Sequence, residues 1–296
     1  MNTARLADVT TFRLGGPCRR LISCATADEV RAAVRELGAT REEFILIGGG
    51  SNLLVSDRGL DLAVVRFASD VADVRLERDE VVVSAATPLD ELARFTVEQG
   101  ISGFVCCSGI PGTVGGAIVG NAGAFGEQIG DQVVSVTLLS RLGVARTVTA
   151  SQLGFAYRRS GLQPSDYIVL SARLRAVRGD AGELRARRDE ILALRAAKHP
   201  DWRVTPTAGS FFKNIEPTSK AEKRQAAGWF LEQAGAKDFR VGGARTFDRH
   251  ANILIAEPGC TAADVLALSK KMAAAVKSKF GFELQREVRL IGTFDE

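Results

Sequence analysis

The stretch Ser108-Gly109-Ile110-Pro111-Gly112-Thr113-Val114-Gly115-Gly116-Ala117-Ile118-Val119-Gly120-Asn121-Ala122-Gly123-Ala124-Phe125-Gly126 constrains this chain more than any other. Glycine reaches φ > 0 without a steric penalty and admits a close backbone or ligand, but it loses more chain entropy on folding than any other residue. A cluster this dense therefore implies a compensating contact. Between Gly109 and Gly126 the only polar side chains are Thr113 and Asn121, so the segment offers backbone N–H groups beside small apolar surfaces. That suits a large, flat, partly anionic ligand such as a dinucleotide. The competing reading is a flexible linker. Ile110, Val114, Ile118 and Val119 oppose it, because linkers carry serine and glycine at such places.

A second cluster lies upstream. Phe44-Ile45-Leu46-Ile47 reads as a short buried strand, and Gly48-Gly49-Gly50-Ser51-Asn52-Leu53 follows it. Consecutive glycines after a strand leave amides able to converge on a phosphate. The spacing is neither G-x-G-x-x-G nor G-x-x-x-x-G-K-[ST], which excludes the Rossmann and P-loop fingerprints. Alone, a tight strand connection explains it equally well; the pairing of two clusters is what informs.

The chain of 296 residues has room for two or three domains. A net charge of +4 is compatible with an anionic small ligand, whereas nucleic acid would want a clustered basic face. The arginine run from Arg185 to Arg195 reads as a solvated helix face. Cys18, Cys24, Cys106, Cys107 and Cys260 show no C-x-x-C spacing, and His199 and His250 add no metal signature. No metal is expected, and cysteines without a disulfide framework suit a reducing compartment. Met1 to Thr11 lacks a basic segment followed by an apolar run, and no apolar segment has membrane-spanning length. The expected setting is cytoplasmic, with no membrane insertion.

Thr26 with Glu29 forms a capping box ahead of Val30, Ala33, Val34 and Leu37, with Gly38 as the expected C-cap. Strands are expected at 44–47, 62–67, 71–76, 81–85, 133–139, 144–148 and 168–174. Thr87-Pro88 opens a helix with proline at its first position, and 181–197 forms another. Residues 201–207 make a Pro-containing connector and a domain boundary. Ser219-Lys220-Ala221-Glu222 is expected to cap a helix running to about Gly235, and Thr261 to Asp264 another that ends before Gly281. A last strand is expected over 282–291. The fold class read from this order is α+β.

The two glycine clusters, with Asn121-Ala122-Gly123-Ala124, resemble the UDP-N-acetylenolpyruvoylglucosamine reductase family, and the resemblance runs from about Thr11 to Gly292. It implies an FAD-binding domain of the vanillyl-alcohol oxidase/p-cresol methylhydroxylase type, in two subdomains at 1–69 and 70–200, and a substrate-binding α+β domain at 201–296. It implies non-covalent FAD held by Gly48, Gly49, Gly50, Ser51, Asn52, Leu53, Gly109, Ile110, Pro111, Gly112, Thr113, Gly115, Gly116, Asn121, Ala122 and Gly123. NADPH would be the co-substrate and UDP-N-acetylglucosamine enolpyruvate the acceptor, with no nucleic-acid partner and a monomer as the working state.

In that family a hydride passes from NADPH to the flavin and then to the enolpyruvyl β-carbon, and the α-carbon is protonated. Such a reaction needs fixed cations or donors at the carboxylate and one acid near the α-carbon. Three matches supply them. Tyr157-Arg158-Arg159-Ser160 resembles the family's Tyr-Arg-x-Ser, which makes Arg158 the catalytic arginine and Tyr157 a substrate contact. Ala208-Gly209-Ser210-Phe211-Phe212-Lys213-Asn214 makes Ser210 the proton donor, and Asn214, with Lys198, a holder of the substrate diphosphate. Gln285-Arg286-Glu287-Val288-Arg289 makes Glu287 the catalytic carboxylate. Without the resemblance these would read as a surface arginine pair, a turn into a buried strand and a solvent-facing strand. Tyr157 and Tyr167 are the only tyrosines, which resembles the family branch lacking an inserted tyrosine-bearing loop. Two readings compete: another flavin oxidase or dehydrogenase of the same fold, and a catalytically silent binder of nucleotide sugars.

Overall fold

Local capping chemistry sets the first helix. In the computed structural model, which describes residues 4–163, 166–216 and 224–294, α1 (Ala27–Thr40) begins at the expected box: Thr26 Oγ1 accepts from Glu29 N, and Glu29 reaches back to Thr26 N. Val30, Ala33, Val34 and Leu37 form its buried face. The helix does not stop at Gly38. It ends on Arg41, in the left-handed conformation at φ 54°. Gly38 stands on the exposed face, where an added Cβ would meet nothing within 4 Å, so its missing side chain interrupts no packing. In α2 (Leu89–Glu98) Pro88 is the N-cap, one residue ahead of the expected first position. A short helix, α3 (Val114–Gly120), lies inside the long glycine stretch; α4 (Ala150–Leu153) and α5 (Ala181–Lys198) follow.

The chain divides into two compact units. A middle unit comprises Arg20–Gly49 and Leu62–Arg195; a terminal unit comprises Met1–Arg19, Gly50–Asp61 and Ala196–Glu296. The middle unit holds a five-stranded antiparallel sheet in the order Ala145–Thr149, Val133–Ser140, Tyr167–Arg175, Glu80–Ser84, Val74–Glu77. It also holds most of a three-stranded sheet in the order Cys18–Cys24, Leu60–Phe67, Phe44–Ile47. Leu37, Val65, Val83, Leu92, Ile118 and Leu138 belong to its largest buried cluster, and Val97, Val105 and Ile191 form a smaller one. Burial of this apolar surface is the main stabilising term.

The terminal unit is built on a four-stranded antiparallel sheet in the order Thr207–Ser210, His250–Ala256, Ala244–Phe247, Arg240–Val241. Two helices, α6 (Ala227–Gln233) and α7 (Ala262–Phe280), supply Leu231, Val265, Leu268 and Met272 to its core beside Phe12 and Phe211. Another capping box, Thr261 with Asp264, starts α7, and Gly281 at φ 80° ends it. The expected start of α6 at Ser219-Lys220-Ala221-Glu222 lies outside the described residues. The expected last strand shrinks to Arg289–Ile291, which pairs in parallel with Leu53–Val55. Residues 282–288 make one isolated bridge, Phe212 to Arg286, too little for a regular ladder. Among the described residues no helix is long and apolar enough to cross a membrane, and no group of three His, Cys, Asp or Glu is placed to hold a metal.

Candidate active site

In the middle unit the glycine clusters meet backbone to backbone. A Cβ added at Gly49 would stand 2.9 Å from Gly112 Cα, and one at Gly48 2.5 Å from Thr113 Oγ1. Any larger residue would push the loops apart. Within the cluster α3 has two faces of opposite character. A Cβ at Gly115 would lie 2.9 Å from the Ala85 Cβ, so that face is packed against the sheet. Gly116 and Gly120, one turn apart, look out: a Cβ at Gly120 would meet nothing within 4 Å, and one at Gly116 only Thr113 Oγ1 at 3.5 Å. The result is a side-chain-free strip of backbone that a side chain at either position would fill. This cradle fits the flat, extended body of FAD. Ile110, Pro111 and Gly112 lead into it, half-buried. Thr113 caps α3 by accepting from Gly116 N at 3.3 Å.

Beyond α3 the chain enters the arginine turn. Ala156 N donates to Arg159 O (2.9 Å) and Arg159 N to Ala156 O (3.0 Å), leaving Tyr157 and Arg158 at the corners. Only Arg158 has positive φ, 52°, a place where type II turns usually carry glycine or asparagine. Arg158 Nη2 donates to Gly123 O at 2.8 Å, and its guanidinium lies 5.1 Å from the Tyr157 ring centre. Arg158 is half-buried; Arg159 is exposed. Asn121, fully buried, donates to Ala156 O at 2.9 Å and accepts from Gly130 N at 3.0 Å. Ala122 N donates to Ala117 O, closing the end of α3. Ser160 Oγ donates to Val119 O at 2.8 Å.

The arginine run of α5 is not wholly solvated. Arg188 forms a two-pronged pair with Asp90 (2.7 and 3.0 Å), whose Oδ1 also accepts from Gly109 N at 2.7 Å. Arg195 Cδ lies where a Cβ on Gly109 would come within 2.9 Å, and its buried Nε has no hydrogen-bond partner among the described residues. The carboxylate that draws Arg188 inward is 98 residues away, and no local pattern announces it.

The terminal unit carries the rest. Gly50, at φ 64°, fits tightly, since a Cβ there would stand 2.1 Å from Val9 O. Ser51 and Asn52 follow; Asn52 O accepts from Arg289 N at 3.0 Å and its Nδ2 donates to Glu287 O at 3.3 Å, while Leu53 pairs with Arg289. Ser210 ends the strand Thr207–Ser210 just after a register shift, with Gly209 at φ 73° before it. Phe211 O accepts from Glu287 N at 2.8 Å and Lys213 N donates to Gln285 O at 2.8 Å. Ser210 and Glu287 therefore sit on neighbouring backbone segments, and among the described residues nothing hydrogen-bonds the Ser210 hydroxyl. Asn252, buried at 2% exposure, clamps the segment by donating to Phe212 O (2.8 Å) and accepting from Phe212 N (2.9 Å). Asn214 Oδ1 accepts from Ala227 N at 3.2 Å. Lys198 ends α5, exposed. Burial holds the His250 imidazole below its ordinary range, and the Lys198 cation adds to that. Nothing local in the sequence announces Asp90, Arg188, Arg195 or the clamp made by Asn252, since each meets residues remote in the chain.

Two family models match the chain: an FAD binding domain over residues 18–149, and the C-terminal domain of UDP-N-acetylenolpyruvoylglucosamine reductase over residues 199–291. The UDP-N-acetylenolpyruvoylglucosamine reductase of Gloeobacter violaceus is 36% identical over 288 residues, covering 97% of this chain and 94% of its own. That of Caldanaerobacter subterraneus subsp. tengcongensis is 34% identical over 284 residues, covering 96% and 90%. The crystal structure of the Thermus caldophilus enzyme superposes with a TM-score of 0.81 at 30% identity, covering 98% of both chains. With similarity of this extent in sequence and in fold, the chain belongs to the UDP-N-acetylenolpyruvoylglucosamine reductase family.

Proposed function

We propose that this flavin-dependent oxidoreductase reduces UDP-N-acetylglucosamine enolpyruvate to UDP-N-acetylmuramate at the expense of NADPH, a step of peptidoglycan precursor synthesis, as a cytoplasmic monomer of the branch without the tyrosine loop. The division into cofactor-binding parts 1–69 and 70–200 and a substrate-binding part 201–296 belongs to the same reading. Bound FAD, held non-covalently, supplies the chemistry of hydride acceptance and delivery. The residues that would hold it are those of the glycine strip and of Gly48–Leu53.

The chain's own groups take the remaining tasks. Arg158 is a permanent cation with two parallel donors for the substrate carboxylate, onto which negative charge moves as the β-carbon is attacked. Glu287 is the catalytic carboxylate that, with Arg158, supports the charge developing in the substrate. Ser210 Oγ gives its proton to the α-carbon and recovers one from solvent. Lys198 and Asn214 hold the diphosphate, and Tyr157 contacts the substrate. The observation that supports this reading best is the Phe211–Glu287 backbone bond of 2.8 Å, which sets Glu287 beside a serine whose hydroxyl has no competing partner among the described residues.

The test is anaerobic. Purified protein should show a flavin absorbance band, bleach on NADPH and regain the band on adding the enolpyruvyl nucleotide. Acid precipitation should release the colour to the supernatant. Arg158→Lys should lose most of kcat, Arg159→Lys little, and Glu287→Gln an amount comparable to Arg158→Lys. Bleaching without recovery would reject the substrate; equal damage at 158 and 159 would reject the choice of arginine.

A further inference from the structure

We infer that Asn121 is a positioning residue for Arg158 and not a side-chain ligand of the cofactor. The inference rests on the catalytic reading of Arg158 given above.

Asn121 is 0% exposed. Its amide is engaged at both ends, donating to Ala156 O at 2.9 Å and accepting from Gly130 N at 3.0 Å. With none of its surface exposed, that side chain is closed off from a ligand in the strip. Ala156 is one of the two residues that close the turn by mutual hydrogen bonds, so Asn121 grips the turn at its hinge. The fit on the other side is equally tight, for a Cβ on Gly130 would come 2.6 Å from Asn121 Oδ1.

The grip matters because the turn is strained. Arg158 sits at φ 52° without being glycine, and a non-glycine residue stays there only when its surroundings over-determine it. Asn121 itself takes φ 46° as the C-cap of α3, a conformation asparagine tolerates better than most residues. One residue thus ends the helix of the glycine strip, turns the chain and fixes the arginine turn. Arg158 Nη2 on Gly123 O, two residues past Asn121, completes a short closed circuit. Releasing Ala156 lets the turn relax, and the guanidinium shifts from the place where it must meet a carboxylate.

Asn121→Asp separates the two bonds. Aspartate keeps the acceptor for Gly130 N and tolerates the left-handed backbone, but it has no N–H for Ala156 O. We expect reoxidation of the reduced flavin by the enolpyruvyl nucleotide to slow about 10- to 100-fold, in line with ångström-scale misplacement of a catalytic group. Flavin reduction by NADPH should stay within about threefold, and FAD affinity, read by flavin fluorescence on titrating the apoprotein, should be unchanged. The decisive measurement is the cycle with Arg158→Lys: the double variant should reoxidise no more slowly than Arg158→Lys alone, because a residue acting through another is not additive with it. Asn121→Gly, which removes both bonds without backbone strain, should behave alike and covers the case in which the aspartate fails to fold. Additive losses, or a fall in FAD affinity, overturn the inference. If Arg158→Lys alone leaves reoxidation intact, the catalytic reading of Arg158 falls first and the inference with it. If only Arg158→Lys slows it, the inference alone falls.

Discussion

Two buried asparagines, one in each unit, hold the two sets of candidate catalytic residues, and they do so differently. In the terminal unit Asn252 binds both backbone groups of one residue, Phe212, within extended chain. Phe211 donates to Asn252 O as well, so the Ser210 segment is held several times over. In the middle unit Asn121 joins Ala156 to Gly130 and holds a turn whose arginine has positive φ. The first arrangement is redundant and unstrained. The second clamps a strained element. Loss of Asn252 should therefore appear in stability, and loss of Asn121 in rate.

Four measurements test this contrast. The largest effect is expected at Ser210, whose surroundings are fixed by backbone. Ser210→Ala should slow reoxidation by about 10²- to 10⁴-fold while leaving flavin reduction near normal. Equal slowing of both half-reactions would make Ser210 structural. Next is Asn252→Ala, which leaves the Phe212 N–H and C=O buried and unpaired, at about 1–3 kcal/mol for each. Urea unfolding reads this loss, and kcat per folded molecule should hardly move; a large fall in kcat would mean that the terminal unit is as sensitive as the middle one.

A smaller effect belongs to Asp90. Burial alone would raise its carboxyl, but hydrogen bonds from Arg188 and the Gly109 amide outweigh it and hold the group below its ordinary value. A depressed folded-state value means stability present above the unfolded-state value near ~4 and lost as pH falls through the folded one. Asp90→Asn should therefore lower Tm at neutral pH by an amount worth about 1 kcal/mol, the pair being partly solvated, and the gap from wild type should close below pH ~4. A gap that persists in acid would assign the loss to packing. The smallest effect is Gly38→Ala, expected to stabilise by about 0.5–1 kcal/mol, because Gly38 is helical, exposed and unobstructed. No gain would place the end of α1 nearer Gly38 than the structure has it.

What could be read from sequence divides along the range of the interaction. Thr26 with Glu29 and Thr261 with Asp264 were legible because a capping box is complete within four residues. Gly38 misled because a glycine after an apolar stripe is the usual stop, whereas the real stop places Arg41 in the left-handed region. The strands Ala244–Phe247 and His250–Ala256 went unseen beside a stretch rich in glycine and charge. Ser210 and Glu287 lie far apart in sequence, and only the family motifs joined them; the backbone bond between their segments is a tertiary event without a local signature. Arg188 looked solvated for the same reason, its partner being beyond the helix.

The parallel pairing of Leu53–Val55 with Arg289–Ile291 also has a meaning in time. At about 5–20 residues per second of synthesis, Leu53 emerges roughly 10–50 s before the strand that completes it. Through that interval its backbone edge is open to any strand that passes, and the terminal unit, which joins residues 196 or more apart in the chain, has no early folding route. A chain stopped short of Arg289 should therefore present the 50–61 segment to protease while the middle unit resists, so the arrival of Arg289–Ile291 decides when that edge becomes safe from misassociation.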